Sequence, residues 1–375
     1  MFNFKQYDFK RYNFALIILV FVIGCIGAYL IFQVDPSLWK KHIIGIIGGI
    51  FIAVIVSIFD YHFVCSLYIV LYIINLMLLV MVKVMGVTIN FAKRWLDLGV
   101  MMFQPSELSK VILIIFIAKI FSMLRHKINS AWVLLLTIAL VGIPTFLILI
   151  QTNLSTSLVI AFIFIIMVYA AGLSWKIIVP ILVIGLPTIC GLFWYVQQDY
   201  QIILQDYQQD RVMSFLHPEE HQDLQFQQDN SVTSVGSGQL YGKVLDDNAG
   251  DARNYDKLPI AESDFIFAVA CEEFGFIGAC VVILLYGGII YICTITARKA
   301  PDYMGMLLAI GIASLFAFQL FVNIGVATKI LPNTGIPLPF LSSGLSSLIS
   351  GTLAVGIILN IRLQPQRTRG MGKEL

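Results

Sequence analysis

The chain has 375 residues, 59% of them hydrophobic and only 12% charged, with a formal net charge of +2. Soluble domains carry about 25% charged and about 45–50% apolar residues, so the composition excludes a soluble globular protein and makes lipid the solvent for most of the chain. The small net charge gives no argument for a nucleic-acid partner, and six cysteines, all in apolar stretches without a CxxC pair, support neither a disulfide framework nor zinc.

Lys5, Lys10 and Arg11 precede the first apolar run. Within it Val22-Ile23-Gly24-Cys25 mimics a lipoprotein cleavage box, but the run continues through to Phe32, which reads as an uncleaved first helix. Runs such as 132–150 are apolar without alternating, so helices are expected rather than a closed barrel. Ten candidate spans approach the roughly 20 residues a crossing needs: 14–33, 42–59, 63–85, 107–124, 131–150, 154–172, 175–195, 264–296, 303–327 and 342–363. The expected fold is an all-α polytopic membrane protein of about ten transmembrane helices. It forms a single integral membrane domain, residues 1–375, with a large extracellular loop, 196–263, between helices seven and eight.

Lys and Arg favour cytoplasmic ends. With the N-terminus inside, Arg125, Lys127, Lys176, Arg298, Lys299, Arg362, Arg367, Arg369 and Lys373 fall inside as well, and both termini are cytoplasmic. The short outer loops carry Lys40, Lys41, Lys83, Lys93, Arg94 and Lys329. The loop 196–263 is polar, Gln- and Asp-rich, and outside; loops of this length are often functional, the alternative being a solvated connection.

Four segments stand out on the outer side. The first is Arg94-Trp95-Leu96-Asp97-Leu98-Gly99 with Gln104-Pro105-Ser106-Glu107-Leu108-Ser109-Lys110. Pro105 suits the first turn of a helix and Ser106 can cap it, and Glu107 and Lys110, three apart, share a helix face. They read either as a structural ion pair or as an acceptor and a cation for a substrate. The second, Gly236 to Lys243, suggests a phosphate-cradling turn but matches neither a P-loop nor a dinucleotide fingerprint. The third, Leu258 to Phe267, closes the polar loop. Ser263 or Asp264 reads as a helix cap, or Asp264 as a general base beside an apolar wall. Further along, Glu272 and Glu273 need partners, a cation or the Lys110 region. The fourth, Ile330 to Gly344, holds three prolines and two glycines. It reads as an outer, partly re-entrant loop whose hydroxyls, Ser342 and Ser343 among them, either hold a polar head group or only turn the chain.

These segments resemble, in order, motifs of the SEDS family (the RodA, FtsW and SpoVE proteins of bacterial growth and division). RWLDLG with QPSELSK is similar to RWxxLG…QPSE…K, and SVGSGQLYGK to IGSGGxxGK. LPIAESDFIFAVACEEFGFIG is similar to LPExxTDFIFAxxxEExGFxG, and LPNTGIPLPFLSSGLSS to LPxTGIPLPFxSYGGSS. The resemblance implies a ten-helix peptidoglycan glycosyltransferase in the bacterial cytoplasmic membrane. Its substrate would be lipid II, an undecaprenyl-diphosphate-linked disaccharide-pentapeptide, and its partner a class B penicillin-binding protein. The family's essential acid falls on Asp264, the implied catalytic base; Glu107, Lys110, Arg94, Lys243, Ser342 and Ser343 are the implied substrate ligands. A divalent cation, Mg or Mn, is implied as an aid without assigned ligands. Asn153 stands where the family has an acid, Ser343 where it has Tyr, Leu345 where it has Gly, and Ile260 where it has Glu. The competing functions are a lipid II flippase, for which mid-membrane charges and helices broken on both sides would be expected, and an inactive scaffold for the penicillin-binding protein.

Overall fold

The computed structural model describes residues 7–89, 92–97, 99, 101–198, 222–245 and 252–364, together with Gln209 and Met213. Twelve α-helices lie among the described residues. In chain order they are α1 Phe14–Val34, α2 Trp39–Ile58, α3 Tyr61–Ser66, α4 Tyr68–Met85, α5 Pro105–Met123, α6 Ala131–Ile150, α7 Leu154–Ala170, α8 Trp175–Val196, α9 Gln222–Ser237, α10 Ile266–Arg298, α11 Tyr303–Ala327 and α12 Leu345–Leu363.

Helices stand at all ten expected places, and seven of them are long and apolar enough to cross a membrane. The polytopic all-α architecture therefore holds; α5 and α7 are not among those seven. Two reasons are plain: α7 has 17 residues, and α5 carries Glu107, Lys110 and Lys119. The third expected span is interrupted at Leu67, which leaves the helical region and separates α3 from α4.

In lipid the bundle is held by close packing rather than by exclusion of water. Helices α5, α11 and α12 are buried along most of their length and form the centre. Helices α2, α4 and α6 expose apolar side chains such as Ile44, Phe51, Met77 and Leu135, as a lipid-facing surface requires. The segment between α4 and α5, read from sequence as a plain loop, folds into a small antiparallel meander: β1 Val87–Ile89, β2 Ala92–Asp97 and β3 Met102–Phe103. Its register sets Val87 opposite Trp95 and Asp97 opposite Met102.

Helix α10 has 33 residues, roughly 50 Å at 1.5 Å per residue, against a hydrocarbon core of about 30 Å. It breaks at Gly275, whose φ of 64° and ψ of −166° belong to a region that side-chain-bearing residues avoid. The N–H groups released there are not orphaned: Phe276 donates to the Gln239 carbonyl at 2.8 Å and Ile277 to that of Leu240 at 3.2 Å. The turn after α9 thus completes α10.

The segment between α11 and α12 has no regular structure over most of its length, yet Ile336, Leu338, Phe340 and Leu341 are buried. Its Pro339 carbonyl accepts from Tyr286 Oη, twenty residues into α10. Leu341 packs so closely on α1 that a Cβ at Gly27 would meet its carbonyl oxygen at 2.4 Å. The irregular segment is enclosed by protein, the setting in which such backbone is tolerated in a membrane protein.

Candidate active site

Four helices, α5, α7, α10 and α12, begin around one cavity of about 560 Å³. The backbone N–H groups of a helix's first turn have no partners within the helix, and the helix dipole makes that end electropositive. At α7 the Asn153 carboxamide oxygen accepts from Thr156 N–H at 3.1 Å. Helices α5, α10 and α12 have no side-chain cap. Three uncapped N-termini converging on one space favour an anionic ligand.

The expectation that Ser106 and Ser263 or Asp264 cap helices is thereby corrected. Gln104 and Phe265 occupy the N-cap positions, so Pro105 and Ser106 already lie in the first turn of α5, and Asp264 precedes the cap of α10. The Ser106 hydroxyl instead accepts from the Gln104 carboxamide at 3.1 Å and from that of Asn153 at 3.2 Å.

Arg94, Glu107, Lys110, Asp264 and Ser343 all line the cavity. Lys110 Nζ donates to both carboxylate oxygens of Glu107 at 2.8 Å, and the two residues are 2% and 4% exposed. A charge pair so enclosed persists because each member cancels the desolvation cost of the other. The Arg94 guanidinium donates to the Thr152 carbonyl, which ties strand β2 to the turn before α7.

Asp264 is half-buried, and its backbone is held from several sides. Its N–H donates to the Ile260 carbonyl at 3.2 Å, and its carbonyl accepts from Asn323 Nδ2 at 3.0 Å. The same Asn323 amide donates to the Ile336 carbonyl at 2.8 Å, and Ser343 N–H donates to Glu262 O at 2.8 Å. Two loops and α11 therefore fix the acid's position, the condition for a preorganised catalytic group. Burial, opposed by its own backbone N–H, pushes the Glu262 carboxyl above the usual carboxylate range; the charges of Asp35 and Asp264 push the same way.

Two implied ligands lie elsewhere. Ser342 is buried outside the cavity wall, donating to the Ser263 carbonyl at 2.7 Å while accepting from Leu338 N–H at 2.9 Å. It binds the two loops to each other. The Lys243 ammonium is paired with Glu272, away from the cavity. Glu272 also accepts from the N–H groups of Asn254 at 2.8 Å and Tyr255 at 3.1 Å. Glu273 accepts from Arg253 Nε at 2.7 Å and from Tyr255 Oη at 2.8 Å. The Glu272-Glu273 pair thus finds its partners in the segment between α9 and α10, not near Lys110. Part of the supposed phosphate-cradling turn, Gly236 and Ser237, is the end of helix α9.

Sequence reading overlooked Asn323 and Asn333. Both are buried polar residues, and Asn323 stands with Gln319 in a largely apolar span, a signal that was present. The carboxylates in the cavity wall are Glu107 and Asp264, and Glu107 has both oxygens on Lys110. Among the described residues no group of three or more His, Cys, Asp or Glu is arranged to hold a metal ion. Mg and Mn ions bind through one or two carboxylates together with substrate phosphates and water, so Asp264 is the residue of this wall that would hold such an ion.

The FtsW/RodA/SpoVE cell cycle protein model matches residues 9–367. Stage V sporulation protein E of Bacillus subtilis is 32% identical over 289 residues, 76% of this chain and 75% of its own length. Peptidoglycan glycosyltransferase MrdB of Escherichia coli is 31% identical over 294 residues, 78% of this chain and 76% of its own. Among solved structures, a chain of a peptidoglycan synthase complex that coordinates polymerization and crosslinking superposes with a TM-score of 0.78 at 28% identity, covering 95% of this chain and 97% of that one. The rod shape determining protein RodA of Thermus thermophilus superposes with a TM-score of 0.69 at 28% identity, covering 95% and 96%. With the family model spanning nearly the whole chain, two relatives above 30% identity over three quarters of it and the helical fold agreeing, the chain belongs to the FtsW/RodA/SpoVE family.

Proposed function

We propose that this protein polymerises peptidoglycan glycan strands from lipid II at the outer face of the bacterial cytoplasmic membrane, with both termini cytoplasmic. It would work beside a class B penicillin-binding protein that cross-links the product. The observation that carries this reading is the placement of Asp264 in one cavity with Arg94 and Lys110, where three uncapped helix N-termini meet.

In this mechanism the Asp264 carboxylate takes the proton of the attacking sugar 4-hydroxyl. The resulting oxygen bonds to the donor's anomeric carbon as the bond from that carbon to the diphosphate oxygen breaks. A single displacement inverts the anomeric centre. The leaving undecaprenyl diphosphate gains negative charge, which Arg94, Lys110 and the helix ends are positioned to offset before it develops. No step is routed through a metal; a divalent ion held by Asp264 would add charge to offset the leaving diphosphate.

The test is polymerisation of labelled lipid II by the purified chain with its class B partner, wild type beside Asp264→Ala. Long glycans from the wild type alone are expected, with partner binding unchanged in both. Undiminished synthesis by Asp264→Ala would remove the proposed chemistry. Absence of product from the wild type while the partner still binds would favour the scaffold.

A further inference from the structure

A second cavity, about 480 Å³ in volume, adjoins the first and shares Trp95, Ser343 and Gly344 with it. Successive side chains of a strand point to opposite faces, so Trp95 and Asp97 lie on one face of β2 and Arg94 on the other. Arg94 lines the first cavity, Asp97 the second, and Trp95 both. Strand β2 is the partition.

The rest of the second wall is built rather than incidental. His42, 3% exposed, has its Nε2 within 3.1 Å of the Phe340 carbonyl, which locks the start of α2 to the segment between α11 and α12. Asp97 accepts from Gly99 N–H at 2.7 Å, which shapes the β2–β3 turn. Met102 pairs with Asp97 across the sheet, and its carbonyl accepts from Ser346 Oγ at 3.2 Å. Lys41 stands exposed at the rim.

A glycan polymerase holds two saccharide substrates at once. The first cavity carries the base and the cations suited to a leaving diphosphate. The attacking sugar must bring one hydroxyl to Asp264, so the remainder of that molecule needs a seat next door. The second cavity has the volume of an ordinary ligand site. An indole offers an apolar face for the C–H side of a sugar ring, methionine adapts to irregular apolar shapes, and lysine meets an anionic group.

We propose that the second cavity seats the acceptor: its saccharide lies against Trp95, with an anionic group of the same molecule at Lys41. The proposal rests on the glycosyltransferase reading above. Its test is single transfer by the purified complex. The donor is a labelled lipid II analogue with hydrogen in place of its 4-hydroxyl. The acceptor is a lipid II analogue with carbon in place of the anomeric oxygen, so that each can play one part only. Lys41→Ala removes the rim cation, and Met102→Trp fills the cavity; both side chains are exposed, and thermal unfolding in detergent checks that both variants fold. Each is expected to raise the acceptor KM ten-fold or more, with kcat and the donor KM held within two-fold. An unchanged acceptor KM in both variants, or a donor KM rising in step with it, overturns the acceptor seat while leaving the polymerase standing. No transfer by the wild type overturns both.

Discussion

Glu107 and Lys110 stand one helical turn apart and face the same cavity, almost sealed from water. Lys110→Met leaves the Glu107 charge buried without its partner, a change that costs about 3–5 kcal/mol where such pairs have been broken. Replacing both, Glu107→Gln with Lys110→Met, removes the stranded charge and is expected to recover most of that loss. Glycan synthesis is expected to stay absent in both variants, because the proposed mechanism needs the Lys110 cation to offset the leaving diphosphate. Chemical unfolding in detergent beside lipid II polymerisation separates the two effects; an active double variant would show the pair to be structural only. Asp264, Glu107, Lys110 and Arg94 were legible in the sequence because charge next to apolar runs is costly and stands out. Lys243 and Ser342 were equally conspicuous, but their partners, Glu272 and the Ser263 carbonyl, are 29 and 79 residues away. Which acid a lysine meets is decided by the fold, not by its neighbours in the chain.

At the scale of elements, the join between α10 and the turn after α9 is the feature that sequence hid. A polar helix such as α9 shows no apolar stripe wide enough to announce itself, and strands of two to six residues read as loop. Yet α9 buries Gln228, Ser231 and Ser234. The Gln228 amide donates to the Leu331 carbonyl at 2.8 Å and the Ser231 hydroxyl to that of Ala327 at 2.9 Å. Backbone acceptors at the end of α11 thus select polar side chains here. Gly275→Ala tests the join. The new Cβ would lie 2.4 Å from Gly242 N and 2.6 Å from the Leu240 carbonyl, at a positive φ. A strained residue of this kind costs of order 1–3 kcal/mol, and the clash adds to it. The thermal midpoint is expected to fall, with proteolysis appearing at 238–257 as the pairs of Lys243 and Arg253 loosen. Gly236→Ala, where nothing lies within 4 Å of the new Cβ, is expected to leave both unchanged; equal behaviour of the two variants would refute the account.

For the whole molecule, hydropathy was enough to locate helices at the expected apolar runs, since each run must satisfy its own backbone in lipid. It carried no information on which helices pack together, because in a membrane that depends on side-chain fit and on scattered polar contacts. One such contact, at the end of the bundle opposite the cavity, joins distant parts of the chain. The His62 imidazole lies between Asp60, 2.8 Å from Nδ1, and Asp302, 2.7 Å from Nε2. Asp302 also accepts from Tyr61 Oη and from Gly305 N–H, both at 2.7 Å, and so caps α11. Tyr61 N–H in turn donates to Asn360 of α12 at 2.9 Å. The bond to Asp302 raises the His62 pKa; burial opposes this, and Asp60 adds to the rise. Burial alone would raise Asp302, but its bonds to His62, Gly305 and Tyr61 outweigh it and hold the carboxyl below its usual value. A raised histidine contributes stability that is complete below its unfolded pKa of about 6.5 and is lost as pH climbs through the folded value. The depressed Asp302 adds stability above its unfolded value of about 3.9 and loses it as pH falls through the folded one. The clasp is therefore strongest between those limits. Unfolding of the wild type and of His62→Gln in detergent should show their largest difference between about pH 4 and 6.5, shrinking as pH rises further. In His62→Gln the Asp302 carboxyl loses the partner that does most to hold it down, so its titration sets the acid limb of that difference. A gap constant from mildly acidic to alkaline pH would mean that the imidazole acts through packing on Tyr61, 4.1 Å away between ring centres, and not through charge.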